Sequence, residues 1–137
     1  MFTEADVGDV HTHLAELLRG YGAKVDAFHY CPHHPEADVT EYRVECACRK
    51  PRPGMLLRAA EELDLDLSAS WMIGDRASDL EAGAAAGCRT ALVRTGYGVL
   101  VNPAALDRDA LRLELVATDL ADAVAKLGLV RRATCVA

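Results

Sequence analysis

Apolar residues recur at helical spacing near the start of the chain, at Val7, Val10, Leu14, Leu17 and Leu18. Thr3, with Asp6 three residues on, has the form of a hydroxyl cap answered by an acid, so the pattern predicts an amphipathic helix ending near Gly20 or Gly22. Val25–Tyr30 mixes β-branched and aromatic residues and predicts a short strand running into Cys31. From Pro32 to Glu45 periodicity disappears among prolines and charges, which predicts a loop too polar to order itself by burial. Beyond Pro51 and Pro53, Leu56, Leu57, Ala60 and Leu63 mark a helix over 54–63. Ser70–Gly74 reads as a buried strand, Ala77–Ala86 as a helix of small residues able to pack closely on a sheet, and Thr90–Gly96 as a strand ending in glycine. Leu113–Ala117 predicts a last strand, and Leu120, Val124 and Leu127 a last helix that stops at Gly128. Strands alternating with helices imply an α/β domain with a parallel sheet flanked by helices. Sites in such sheets lie at the carboxyl ends of strands, where Cys31, Asp75 and Gly96 fall.

Composition narrows this picture. At 137 residues, 51% of them hydrophobic, the chain is expected to form one domain over 1–137 with a real core. A net charge of -6 and the lack of a basic run argue against nucleic acid as a partner. The apolar runs are interrupted by charges well before membrane-spanning length, so no membrane partner is expected either. No secretion signal is recognisable, and clustered cysteines suit a reducing, cytoplasmic setting.

Two short pieces carry a metal-ligand inventory: Cys31-Pro32-His33-His34 and Cys46-Ala47-Cys48. Three thiols and an imidazole would close a tetrahedral zinc site, leaving no position for water or substrate, so the metal is read as a structural staple that orders the loop at about 31–48. His33 is preferred to His34, because Cys-x-His lets both side chains turn toward one ion. A disulfide framework fits poorly, since two of the cysteines lie one residue apart. A redox role for Cys46 and Cys48 would need free thiolates, which metal binding sequesters. Cys88, just before an apolar strand, reads as a small core residue, and Cys135 falls in a tail. His11 and His13, two apart on a helix, point away from each other and are read as solvated.

Gly74-Asp75-Arg76-Ala77-Ser78-Asp79 places one carboxylate directly after a buried strand and a second at the start of the next helix. Mg²⁺ takes one or two protein carboxylates together with phosphate oxygens and water, and this arrangement offers them; the simpler reading is that Asp75 caps the helix and Asp79 is solvated. Arg49 and Lys50, beside the cysteine pair, have the chemistry to grip and neutralise a phosphoryl group.

Taken together, Cys31-Pro32-His33-His34, Cys46-Ala47-Cys48-Arg49-Lys50-Pro51-Arg52-Pro53-Gly54-Met55, Met72-Ile73-Gly74-Asp75-Arg76-x-x-Asp79, Gly87-Cys88 and Val93-Arg94-Thr95-Gly96 resemble the haloacid dehalogenase (HAD) superfamily. Within it they resemble the zinc-containing D,D-heptose 1,7-bisphosphate phosphatases and histidinol-phosphatases. The long gap between His33 and Cys46 is more similar to the heptose branch, with the histidinol branch as the alternative. The resemblance implies a Rossmann-like HAD fold and hydrolysis of a sugar phosphate monoester through an aspartyl-phosphate, in which a carboxylate splits one hard step into two. It implies structural zinc on Cys31, His33, Cys46 and Cys48, and catalytic Mg²⁺ on Asp75. Lys50 would stabilise the phosphate and Arg49 help bind substrate, with Arg76 beside the metal site and Asp79 supporting that loop.

Two family motifs have no counterpart. The nucleophilic Asp-x-Asp at the end of the first strand, and a Ser or Thr after another strand, normally precede the helix that opens this chain. Asp64-Leu65-Asp66-Leu67-Ser68 matches Asp-x-Asp by letter alone, at a place where relatives carry a surface turn. The expectation is therefore a fold lacking the family's first strands, little or no phosphatase activity for these 137 residues alone, and self-association through exposed sheet edges. A truncated gene product or a mis-called start, with the missing motifs encoded upstream, would explain the loss. A non-catalytic, zinc-stabilised phosphate-binding module is the competing class.

Overall fold

The computed structural model describes residues 3–128, and Cys135 lies outside them. Contacts group the chain into two compact units, 1–46 and 47–137, which are taken in turn.

The first unit is one helix and a loop. Helix α1 spans Glu4–Gly20 and opens on the expected capping box, Thr3 receiving the Asp6 amide while the Asp6 carboxylate receives the Thr3 amide. Its half-buried stripe is Val7, His11, Ala15 and Leu18, whereas Val10, Leu14 and Leu17, expected to face a core, are 60%, 42% and 50% exposed. His11 is not solvated as expected, for its ring stacks on Phe28 at 4.5 Å and tilts against Tyr30 at 5.8 Å. His13 is exposed.

The expected strand at Val25–Tyr30 is absent. A strand is defined by its ladder, and among the described residues of this unit no second strand lies alongside to supply one. The loop that follows folds locally, through a 3₁₀ turn at Thr40–Tyr42 and a bond from the His34 amide to the Tyr42 carbonyl at 2.8 Å. Tyr30 and Tyr42 both donate their hydroxyls to the Glu4 carboxylate, at 2.7 and 2.9 Å, tying the loop to the start of α1. These bonds, Tyr30 first, hold the Glu4 carboxyl below its ordinary pKa.

The second unit is the α/β sandwich that the alternating pattern predicts. In order it runs α2 (Gly54–Leu63), β1 (Trp71–Gly74), α3 (Ala77–Ala86), β2 (Arg89–Val93), β3 (Leu113–Ala117) and α4 (Leu120–Lys126). The strands form a parallel sheet in the order β1-β2-β3, with Trp71 opposite Arg89, Gly74 opposite Leu92 and Val93 opposite Ala117. Strand β2 ends at Val93 rather than running on to Gly96, because Gly96–Val99 turns into a 3₁₀ segment.

Consecutive residues of β2 serve opposite faces of the sheet. Leu92 joins Leu80 of α3 and Leu113, with Val101, Leu106 and Leu111 packed around them. Val93 joins Ala123 of α4 and Ala117, backed by Ile73 and Leu115. The central strand is accordingly buried, while β1 is only half-buried along its length, since among the described residues it is an edge strand. Cys88 is 2% exposed, the core residue expected, and burial raises its thiol pKa.

The small residues of α3 allow close approach to the sheet. A Cβ added at Gly83 would lie 2.5 Å from Met72 Cβ and 2.9 Å from Thr90 Cγ2. Gly83→Val is therefore expected to push the helix off the sheet and lower stability by about 2 kcal/mol or more, read as a fall in the thermal midpoint by circular dichroism. An unchanged midpoint would show that the packing has slack.

Candidate functional site

Within the second unit the candidate residues converge at the carboxyl end of β1, and Asp79 is the hub. This carboxylate, 3% exposed, accepts the Asp75 amide at 3.2 Å and the Arg76 amide at 3.0 Å through Oδ2, closing the turn between β1 and α3. Its Oδ1 accepts the Lys50 ammonium at 2.5 Å. Gly74 makes this possible, for a Cβ there would sit 2.3 Å from Asp79 Cβ. Asp79 is thus neither solvated nor remote, and it caps the helix in place of Asp75.

Asp75 is held differently. Its Oδ2 accepts the Tyr97 amide at 2.9 Å, while Oδ1 receives no hydrogen bond among the described residues. The 95–98 turn can come this close because Gly96, at φ +55°, leaves only 2.3 Å between a would-be Cβ and Asp75 Oδ2. Arg76 lies with its guanidinium 3.5 Å from the centre of the Tyr97 ring.

Lys50 is delivered by a closed turn: the Gly54 amide bonds the Ala47 carbonyl at 2.9 Å and the Arg52 amide bonds the Arg49 carbonyl at 3.0 Å. A Cβ at Gly54 would stand 2.4 Å from that Ala47 oxygen, so the turn requires glycine. Arg49 is half-buried immediately before Lys50.

A half-buried carboxylate with a free oxygen, next to a second carboxylate that carries a lysine, is a donor set that fits a hard divalent cation and an anion together. The Asp64–Ser68 look-alike has no such setting. Asp64 ends α2 in the left-handed region, and Asp66 bonds the Ser68 hydroxyl and the Ser68 and Ala69 amides in an exposed turn. Those bonds, the Ser68 hydroxyl first, lower its pKa.

The first unit holds a second cluster. Cys31, His33 and Cys46, all half-buried, bring one ligand atom each within 4.8 Å of one another. Cys31 Sγ is 3.3 Å from Cys46 Sγ and 3.9 Å from His33 Nδ1. A disulfide would need about 2.05 Å. A tetrahedral zinc with bonds of about 2.0–2.3 Å would separate its ligand atoms by roughly 3.5–3.8 Å, so the spacing suits an ion. His34 is exposed, and its Nδ1 accepts the Glu36 amide, in keeping with the preference for His33. Cys48, a half-buried free cysteine of the second unit, is not a member of the three-residue group.

Sequence reasoning missed Tyr97, whose amide and ring both reach the Asp75-Arg76 pair. The signal was Gly96-x-Gly98 just past a strand, a spacing that marks close backbone approach. A Cβ at Gly98 would lie within 1.9 Å of the Val93 carbonyl oxygen.

A parallel α/β sheet with a buried carboxylate, a lysine and a strand-end aspartate at its carboxyl edge places these side chains where sheets of this class bind their ligands. Residues 47–123 match the model of the HAD-hydrolase-like family. The chain belongs to that family. Over 100 residues it is 44% identical to the D-glycero-beta-D-manno-heptose-1,7-bisphosphate 7-phosphatase of Yersinia pestis, covering 72% of this chain and 53% of that protein. Over 96 residues it is 45% identical to the Escherichia coli K12 enzyme of the same name, covering 69% and 50%. Among solved structures it is similar to the D,D-heptose 1,7-bisphosphate phosphatase of B. bronchiseptica complexed with magnesium and phosphate. That similarity has a TM-score of 0.75 and 35% identity, and covers 91% of this chain and 64% of the other. The chain spans about half the length of the curated relatives it matches.

Two opposed effects meet at Asp79. The Lys50 side chain is 40% exposed, so losing its carboxylate partner returns the ammonium to water at little cost, whereas two amides of a tight turn would lose their acceptor. Asp79→Ala is expected to destabilise the protein by roughly 3 kcal/mol, and Lys50→Met, which leaves the buried carboxylate its two amides but no counter-charge, by roughly 1–2 kcal/mol, in urea unfolding. Equal effects would show that the ion pair, not the amide cap, holds the turn.

Proposed function

We propose that this chain carries the phosphate-gripping and magnesium-holding part of a phosphomonoester hydrolase for a sugar phosphate, most like D-glycero-D-manno-heptose 1,7-bisphosphate 7-phosphatase. The observation that carries the reading is the linkage Lys50–Asp79–Asp75 at the carboxyl end of β1, in which one carboxylate holds both a cation and the main-chain amide of a second aspartate. The names of the relatives and the magnesium and phosphate of the B. bronchiseptica complex support it.

In this reading Asp75 would hold Mg²⁺ with its free oxygen, Lys50 would neutralise the phosphoryl oxygens, and Arg49 would help bind the substrate. Bound magnesium would supply charge neutralisation at the phosphoryl group. Lys50 needs no proton transfer to act. Asp79 keeps it oriented, so that its positive charge is in place before substrate arrives. The sequence carries no counterpart of the attacking Asp-x-Asp, so the isolated chain is expected to show no turnover of heptose 1,7-bisphosphate in a phosphate-release assay. Measurable turnover abolished by Asp75→Asn would contradict this. Binding is the positive test. Mg²⁺ with inorganic phosphate is expected to shift the amide resonances of Lys50, Asp75 and Tyr97 in the wild type but not in Asp75→Asn.

Zinc is proposed as a structural ion on Cys31, His33, Cys46 and Cys48, supported by the spacing of the first three. The reading further takes 1–137 as one HAD-like domain, cytoplasmic, self-associating through the open edge of β1, and without nucleic acid or membrane partners. No described helix is long and apolar enough to cross a membrane. Purified protein is expected to contain about one zinc per chain by elemental analysis, and Cys46→Ser to lose most of it. Zinc near zero in the wild type would remove the metal from the proposal.

A further inference from the structure

Asp75 and Arg76 are consecutive, and this poses an electrostatic problem. A guanidinium beside a carboxylate can close on it through paired hydrogen bonds, and oxygens so engaged are lost to a hard cation. The structure shows where the guanidinium goes instead, over the face of Tyr97 at 3.5 Å from the ring centre. The same residue donates its amide to Asp75 Oδ2. Tyr97 therefore touches both members of the pair, one through its main chain and the other through its ring.

Hydrophobic burial does not account for that placement. Tyr97 is 56% exposed, and it belongs to neither apolar cluster of the sheet. What the ring offers is a negative face for a cation. The backbone is constrained separately: Gly96 and Gly98 leave no room for a Cβ against Asp75 Oδ2 and the Val93 carbonyl. The turn is thus set by main-chain contacts, and the side chain is available for another task.

We propose that Tyr97 is a positioning residue for Asp75, whose ring parks the Arg76 cation away from Oδ1 and so keeps that oxygen open for a divalent metal. The inference rests on the magnesium reading of Asp75 given above. It separates the two halves of Tyr97: any residue but proline can supply the amide, whereas the ring is what holds the guanidinium.

Mn²⁺ titration of the 137-residue chain, read by paramagnetic broadening of the Asp75, Arg76 and residue-97 amide resonances, tests this without relying on turnover. Tyr97→Ala is expected to weaken Mn²⁺ binding by roughly tenfold, and Tyr97→Phe to stay within about twofold of the wild type, since the ring face is retained. The double variant Arg76→Ala with Tyr97→Ala is expected to recover wild-type affinity, because the competing cation is gone. Tyr97→Ala binding like the wild type, or a loss that removing Arg76 does not restore, overturns the proposal while the magnesium reading stands. A wild type without broadening at Asp75 overturns both.

Discussion

A carboxylate that is 3% exposed must find hydrogen bonds and a counter-charge inside the protein, and at Asp79 it finds both. Two consecutive amides of the β1–α3 turn converge on one oxygen and the Lys50 ammonium on the other. The constraint runs outward from there. Gly74 must lack a side chain so that Asp79 can fold back over the strand end. Asp75, its amide fixed from behind, has its carboxylate free to meet the 95–98 turn, and Gly96 must be bare to let that turn approach. Lys50 comes from far earlier in the sequence, on a turn that Gly54 closes, and is bonded to the strand end through this carboxylate. Three glycines spread through the unit thus serve one buried charge.

The second unit was largely legible in the sequence because each local signal had a tertiary partner to agree with it. Alternating apolar runs over 71–74, 89–93 and 113–117 became a parallel sheet, and the small residues of α3 became the close contact of Gly83 with Met72 and Thr90. The first unit was less so. Thr3 and Asp6 mark the helix start correctly, since a cap is satisfied within a few residues. Val25–Tyr30 has strand composition, yet β structure is a relation between segments, and the composition of one segment cannot supply the other. Along α1 the spacing marked Val10, Leu14 and Leu17 for the apolar face, yet they lie exposed while Val7, His11, Ala15 and Leu18 are half-buried. His11 replaced Leu14 on the covered side because Phe28 offered its ring a stacking surface.

The site itself divides along the same line. Asp75 and Lys50 stood out as candidates from residue type and from resemblance, whereas their geometry was not readable, because it depends on Asp79 serving as the bridge. A solvated helix-start aspartate and a buried one look identical as letters. Tyr97 was hard to read for a different reason: Gly96-x-Gly98 marks only a close approach, while the bond to Asp75 comes from the Tyr97 amide, and every residue but proline has an amide. The clustered soft ligands Cys31, His33 and Cys46 lie in one unit, while Cys48 and the hard carboxylates Asp75 and Asp79 lie in the other, and thiolate and carboxylate donors favour different kinds of ion.

The central claim is that Asp79 orients Lys50 and Asp75 toward one phosphoryl group. A crystal structure of the chain with magnesium and phosphate tests it most directly. The account predicts magnesium on Asp75 Oδ1 and a phosphate oxygen on Lys50 Nζ, with the ammonium still bonded to Asp79. Phosphate bound away from Lys50, or Lys50 detached from Asp79 when the anion is present, would contradict it.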